Sequence, residues 1–267
     1  MSRLLIESNF MKKVVLITGA SSGIGLETAI QFARLGAHIS MCGRNKERLD
    51  RAYEECTKER IENTQQIIRI QCDMTNDNDV KSMVEQTLTT FDGRLDVLVN
   101  NAGTLEYGTI ENTSLEQYDR VMNTNLRSVY HMMMLTVPSL AKTKGNVINV
   151  SSVNGIRSFP NVLAYNISKS ALDQLTACTA LELASKGIRV NAVNPGVINT
   201  GIQQRGGLTD EQYANFMEHS KTTHALGRVG EVGEVAKVIT FLASDSASFV
   251  TGITMPIDGG RHAMCPR

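Results

Sequence analysis

Short, continuously apolar runs alternate with amphipathic stretches along almost the whole chain. Residues 13–18, 38–42, 67–72, 95–99, 146–151, 188–193 and 252–257 are rich in Val and Ile and read as strands. Between them, residues 24–35, 46–60, 77–91, about 115–135, 162–185 and 232–243 carry helical spacing. The strand runs are apolar throughout rather than alternating, as a sheet covered on both faces requires. Strand–helix repeats with a closing strand predict the α/β class. The expected architecture is a doubly wound parallel sheet of about seven strands with helices on both faces. No Pro/Gly/Ser-rich linker or low-complexity tract breaks the rhythm, so residues 1–267 are expected to form a single domain. The long exception is 201–226, a polar segment holding Gly201, Gly206 and Gly207. Ligands of such sheets sit at the carboxyl ends of the strands, so this segment is placed to act as a lid.

Composition narrows the function classes. Hydrophobic residues make up 42% and charged residues 20%, which fits a globular chain. Lys+Arg and Asp+Glu both number 27, so no charge excess points to nucleic acid or an anionic membrane. Cys42, Cys56, Cys72, Cys178 and Cys265 form no C-x-x-C pair, which suits reduced thiols better than a disulfide framework. No H-E-x-x-H occurs among the histidines, so no metal is expected. The first ten residues are too short and polar for a signal peptide, and no apolar run reaches the length of a membrane span. A cytoplasmic protein is the expectation.

Thr18-Gly19-Ala20-Ser21-Ser22-Gly23-Ile24-Gly25 follows the first strand and opens the first helix. Gly19 permits a tight turn, Gly23 lets backbone approach a pyrophosphate, and Gly25 lets helix and strand pack closely. The helix start then offers free N–H groups and partial positive charge to phosphates. This points to a Rossmann-like, dinucleotide-binding domain, with a purely structural turn as the alternative, and the spacing is G-x-x-x-G-x-G rather than G-x-G-x-x-G. NAD enzymes place an acid on the ribose about 20 residues further on. Here the second strand ends Met41-Cys42-Gly43-Arg44, with no carboxylate before Glu47. Arg44 can grip a 2′-phosphate bidentately, or can be an ordinary solvated arginine.

Tyr165 and Lys169 stand at i and i+4 near the start of a predicted helix, so they share a face. At neutral pH only about a thousandth of free tyrosine is phenolate, and a neighbouring ammonium raises that fraction. Ser151-Ser152 closes the preceding strand at its carboxyl end. The Ser152 hydroxyl can steady a carbonyl oxygen as charge develops there, or can simply cap a turn.

With these motifs in place, residues 13–260 resemble the short-chain dehydrogenase/reductase family. The matches run in order through the glycine loop, Asp73, Asn100-Asn101-Ala102-Gly103, Asn125, Ser152, Tyr165, Lys169, Asn194-Pro195-Gly196, Thr200 and Asp258-Gly259-Gly260. The resemblance implies hydride transfer between a nicotinamide coenzyme and a carbonyl or secondary alcohol. It makes Tyr165 the acid/base and gives Lys169 the tasks of lowering its pKa and binding the nicotinamide ribose. Ser152 steadies the substrate oxygen, and Asn125 holds a water on a proton path to Lys169. The coenzyme would be held by Gly19, Ser21, Ser22, Gly23, Ile24 and Gly25. It would also meet Asp73 at the adenine, Asn100 as a brace, Ala102, Gly103, Pro195 and Gly196. Ile198 and Thr200 would hold the carboxamide. Asp73 can equally cap a helix, and Asn100 and Asn101 can be turn formers. Arg44 without a preceding acid points to NADP(H), with NAD possible; the second basic residue often seen before Gly23 is Ser22 here.

The family resemblance and the broadly apolar helix 162–185 imply a homotetramer. The segments 105–107, 153–156, 162–163 and 197–198 are expected to line the substrate site. They are largely apolar, with Glu106 and Asn154 as exceptions, and only Arg157, Arg205 and Lys221 are placed to approach. An uncharged ketone or secondary alcohol on a lipophilic skeleton is the expected substrate, such as a steroid, a terpenoid or a xenobiotic carbonyl. The alternatives are a 3-oxoacyl thioester and, from another class, a catalytically silent nucleotide-binding scaffold.

Overall fold

The computed structural model describes residues 10–264. Residues 1–9 and 265–267, where most of the targeting-signal expectations and Cys265 fall, lie outside the described residues. The strands are β1 (Val14–Thr18), β2 (His38–Gly43), β3 (Ile67–Gln71), β4 (Val97–Asn100), β5 (Asn146–Val150), β6 (Arg189–Pro195) and β7 (Thr254–Ile257). They form one sheet in the order β3-β2-β1-β4-β5-β6-β7, and every pairing is parallel. The expected seven-stranded, doubly wound sheet is therefore what forms. Strand order reverses between β1 and β4, which opens a crevice at their carboxyl ends.

The helices are α1 (Gly23–Arg34), α2 (Lys46–Lys58), α3 (Asp77–Thr90), α4 (Leu115–Met122), α5 (Ser128–Thr143), α6 (Leu163–Leu183), α7 (Ile202–Arg205), α8 (Asp210–Thr222) and α9 (Val232–Ala243). Two cores lie on opposite sheet faces. One joins Phe32 and Ala33 of α1, Leu49 of α2 and Ile239 of α9 to Ile17, Ile39 and Val99. The other joins Val80 and Met83 of α3, Met132 and Leu140 of α5 and Leu172 of α6 to Leu16, Leu98 and Val190. Both faces of β1, β4 and β5 are thus dry, which is why those runs are unbroken in the sequence.

The helix expected over about 115–135 is longer and is interrupted. A π-helical turn at Asn123–Arg127 separates α4 from α5, and α5 continues to Thr143 through Pro138. Pro138 and Met134 both face solvent, so the hydrogen bond that the proline removes leaves a carbonyl that water can satisfy. Met132 and Met133 are core residues, whereas Met134 is 62% exposed.

Candidate active site

The glycine loop sits at the crevice. Gly19 and Gly23 adopt φ of +66° and +57°, where a side chain would be strained. A Cβ on Gly25 would collide with the Gly19 carbonyl and the Asn101 amide, so this glycine lets α1 seat on the turn. Ser22 precedes α1 in an extended conformation, its side chain makes no capping bond, and the first turn holds no acid. The helix start is thereby left without an internal acceptor, the condition for receiving an anionic phosphate. Asn101 locks β4 to the loop. Its amide donates to the Thr18 and Gly19 carbonyls at 3.0 Å each, while the Asn101 and Ala102 N–H groups donate to the Thr18 hydroxyl, both at 3.0 Å.

A cavity of about 930 Å³ runs from this loop across the strand ends. One end is walled by Gly19, Ser21, Ser22, Gly23, Ile24, Arg44 and Asp73. Ala102, Gly103, Pro195, Gly196, Ile198 and Thr200 line it further on, and Ser152, Tyr165 and Lys169 also open onto it. Three expected site residues do not line it. Asn100 is turned into the sheet, where its amide donates to Asn149 at 2.9 Å. Gly25 packs under the loop. Asn125 is fully buried in the π-helical turn, accepting from the Thr104 N–H at 2.8 Å and donating to the Thr104 carbonyl at 2.9 Å and the Ser168 hydroxyl at 3.0 Å. Asp73 does not cap α3, a task taken by Asn76. Its carboxylate accepts from the Thr75 N–H and hydroxyl.

Tyr165 and Lys169 lie on the buried face of α6, as their spacing predicts. The Lys169 ammonium donates to the Val150 carbonyl at 2.8 Å and stands 5.7 Å from the Tyr165 ring centre. Burial pulls the Lys169 pKa down to about 8, with Asp173 pulling it back up. Burial also pushes the Tyr165 hydroxyl above its ordinary value, and the Ser152 side chain partly opposes that. Ser152 caps a short 3₁₀ turn, its hydroxyl accepting from the Asn154 N–H at 3.1 Å, and it also lines the cavity.

Several contacts are not announced by the sequence motifs. Asn194 donates both to the Ser152 carbonyl and to the Asp173 carboxylate, each at 2.8 Å, fastening the serine loop to α6. Burial raises the Asp173 pKa, against Ser151, Asn194 and Lys169. Asp173 follows Lys169 by one helical turn, so the same i, i+4 rule that paired Tyr165 with Lys169 marks it. His224 accepts from the Val197 N–H at 3.1 Å, so its other ring nitrogen holds the proton and donates to the Ser220 carbonyl at 2.6 Å. This ties the end of α8 to the turn after β6. The segment 201–226 folds as α7 and α8, with a capping box at Thr209 and Gln212, and Ile202, Gln203, Arg205, Phe216 and His219 face the cavity.

A family model described as enoyl-(acyl carrier protein) reductase matches residues 19–262. The chain is a short-chain dehydrogenase/reductase. It is 39% identical to a 3-oxoacyl-(acyl-carrier-protein) reductase of Thermotoga maritima, over 93% of this chain and 97% of that one. It is 36% identical to a cyclohexanol dehydrogenase of an Acinetobacter species, over 96% and 97%. A Caenorhabditis elegans short-chain dehydrogenase/reductase of unknown function, solved with cofactor, superposes with a TM-score of 0.89 at 36% identity, over 96% of this chain and 97% of that one. This short-chain dehydrogenase/reductase is accordingly an NAD(P)-dependent oxidoreductase acting between CH–OH and C=O. No helix among the described residues is long and apolar enough to cross a membrane.

Proposed function

We propose that the chain is an NADP(H)-dependent reductase or dehydrogenase for a ketone or secondary alcohol on a hydrophobic skeleton. The observation that carries this is one continuous cavity with Arg44 and the open helix start at one end and the Ser152–Tyr165–Lys169 group on its wall. Arg44 and Ser21 would hold the 2′-phosphate; a Cβ on Gly43 would stand 3.1 Å from the Ser21 Cβ, so Ser21 lies against the end of β2. Bound across this cavity, the nicotinamide coenzyme supplies or accepts the hydride. The chain handles the proton. In reduction the Tyr165 hydroxyl donates to the carbonyl oxygen, and Ser152 hydrogen-bonds that oxygen as negative charge develops. A tyrosine is in the acid form at neutral pH, as this direction needs, and burial pushes the Tyr165 pKa further up. Lys169 brings positive charge beside Tyr165. Asn125 uses both amide hydrogens and one acceptor site of its oxygen within the π-helical turn, a device recurrent at functional sites, and in this reading it holds the water of the proton path to Lys169.

Leu105, Val153, Val162, Val197, Ile202 and Phe216 supply the apolar walls, and Glu106 is matched by Arg120 at 2.8 Å. The likeness to a 3-oxoacyl-(acyl-carrier-protein) reductase favours a thioester as second reading. Specificity constants for a steroid or terpenoid ketone, a 3-oxoacyl thioester and a sugar decide between them. The ketone is expected to lead, and a clear win for the thioester or the sugar overturns the first reading.

The segment 201–226 acts in this reading as a lid. Gly201 and Gly207, at φ of +66° and +116°, are its hinges, while Gly206 packs against Leu105. Amide exchange across α8 is expected to be faster than in the sheet and to slow on coenzyme binding. Protection equal to the sheet core in both states counts against a lid. The chain is also read as a homotetramer, its exposed Leu181, Phe249 and Ile253 being apolar surface that neighbours would cover. Light scattering at micromolar concentration should give the mass of four chains, and a monomer refutes this. Free thiols at Cys42, Cys56, Cys72 and Cys178 suit a reducing cytoplasm.

A further inference from the structure

The sequence names Arg157, Arg205 and Lys221 as the cations able to approach the substrate. The structure adds another, Arg261, to the cavity lining. It reaches that position because the chain turns sharply after β7. Gly259 and Gly260 adopt φ of +56° and +81° in succession, a path open mainly to glycine. Asp258 locks the turn, accepting from the Gly260 N–H at 3.1 Å and the His262 N–H at 2.6 Å while its carboxylate meets the His262 ring at 2.9 Å. Arg157 secures the next residues by donating to the His262 carbonyl at 2.7 Å and the Met264 carbonyl at 3.2 Å. Arg157 is thus a support for the turn, and Lys221 pairs with Glu218.

The Arg261 guanidinium lies over the Phe159 ring, 4.5 Å from its centre. Phe159 is fixed to the catalytic helix, its carbonyl accepting from the Asn166 amide at 2.7 Å, one residue beyond Tyr165. Among the described residues the Arg261 side chain makes no hydrogen bond or ion pair, and its Nε is buried without an acceptor. Asp258, the nearby carboxylate, is occupied by its own turn. A buried charged donor left unmet is costly, and an acceptor brought by a ligand would satisfy it. The cation–π contact with Phe159 holds the guanidinium without using its N–H groups as donors, which stay available to a planar acceptor. The other carboxylates on the cavity do not offset it: Glu106 is paired with Arg120, and Asp73 lies at the opposite end near Arg44. His219 of α8 adds a further basic group to the lining.

We propose that Arg261 is a carboxylate-binding subsite, and that the substrate is a keto acid or hydroxy acid whose apolar skeleton separates the reacting carbon from the carboxylate. This rests on the reading that the cavity beside Tyr165 takes a carbonyl substrate. Its guanidinium edge grips the carboxylate while the walls around Val153 and Val162 hold the chain between.

The test uses the full chain with NADPH and a ladder of 3-oxobutanoate, 4-oxopentanoate, 5-oxohexanoate and 6-oxoheptanoate, each beside its methyl ester. At the best length the acid is expected to exceed its ester in kcat/KM by roughly 10–100-fold, mainly through KM. Arg261→Met should remove that advantage, and Arg261→Lys should restore part of it, with melting temperature and NADPH affinity reporting that the variants fold. Equal constants for acids and esters at every length overturn the proposal, as does an Arg261→Met loss shared equally by acid and ester. Hexanoate, which cannot react, separates this from failure of the reduction itself. It should raise the melting temperature of the wild-type NADPH complex but not that of Arg261→Met. If none of the ketones is turned over, that shift still supports the subsite, and its absence sinks it.

Discussion

Tyr165→Phe is expected to lower turnover by roughly 10²–10⁴-fold, the range of a lost general acid–base contribution. The substitution removes one hydroxyl and little else. Tyr165 is buried on α6, so the phenyl ring stays packed and the fold should survive. Coenzyme affinity should hold as well, because the glycine loop, Arg44 and Thr200 are untouched. Single-turnover rates with NADPH and a saturating ketone, beside NADPH binding by fluorescence, separate the two effects. Lys169→Ala is different in kind. It deletes a cation held against the Val150 carbonyl and near the tyrosine ring, so both binding and the chemical step should suffer. A Tyr165→Phe variant that kept most of its activity would mean that another group supplies the proton, and the proposed mechanism would be wrong.

Much of this site is legible in the sequence because its residues lie where local rules act. Apolar runs bounded by helical stretches locate all seven strands, and glycines at turn positions locate the loop. Helical spacing puts Tyr165 and Lys169 on one face. What stays hidden depends on contacts between distant segments. Whether Asn100 or Asn101 meets the loop is decided by a one-residue difference at the end of β4. The side chain at the last strand position points into the sheet, and the next one is free to reach Thr18 and Gly19. Arg261 is 102 residues from Phe159, so no local pattern announces that they stack. The π-helical turn at Asn125 and the passage of α5 through Pro138 are similar cases. Tertiary packing there outweighs the propensities that end the helix early in a reading of sequence alone.

The coenzyme preference is the second large effect, and it turns on charge at the end of β2. NADPH should bind more tightly than NADH by roughly 10–100-fold, the value of a charge-assisted bidentate contact of ~1.5–3 kcal/mol. Arg44 and Ser21 both line the cavity at that end, and the residues following β2 offer no acid before Glu47. Desolvation raises the Asp73 pKa, and the hydrogen bonds from Thr75 together with the charge of Arg44 outweigh it, so Arg44 and Asp73 share one end of the cavity. Arg48, one turn into α2, lines the same cavity and brings a second cation that the glycine-loop motif does not reveal. Arg44→Ala should therefore remove most of the preference by weakening NADPH while leaving NADH nearly unchanged. Any preference that remains should fall further when Arg48 is also replaced. Titrations of both coenzymes against the wild type and the two variants provide the measurement. Equal dissociation constants in the wild type, or an undiminished preference in Arg44→Ala, would place the selecting charge elsewhere and return Arg44 to the role of a solvated surface arginine.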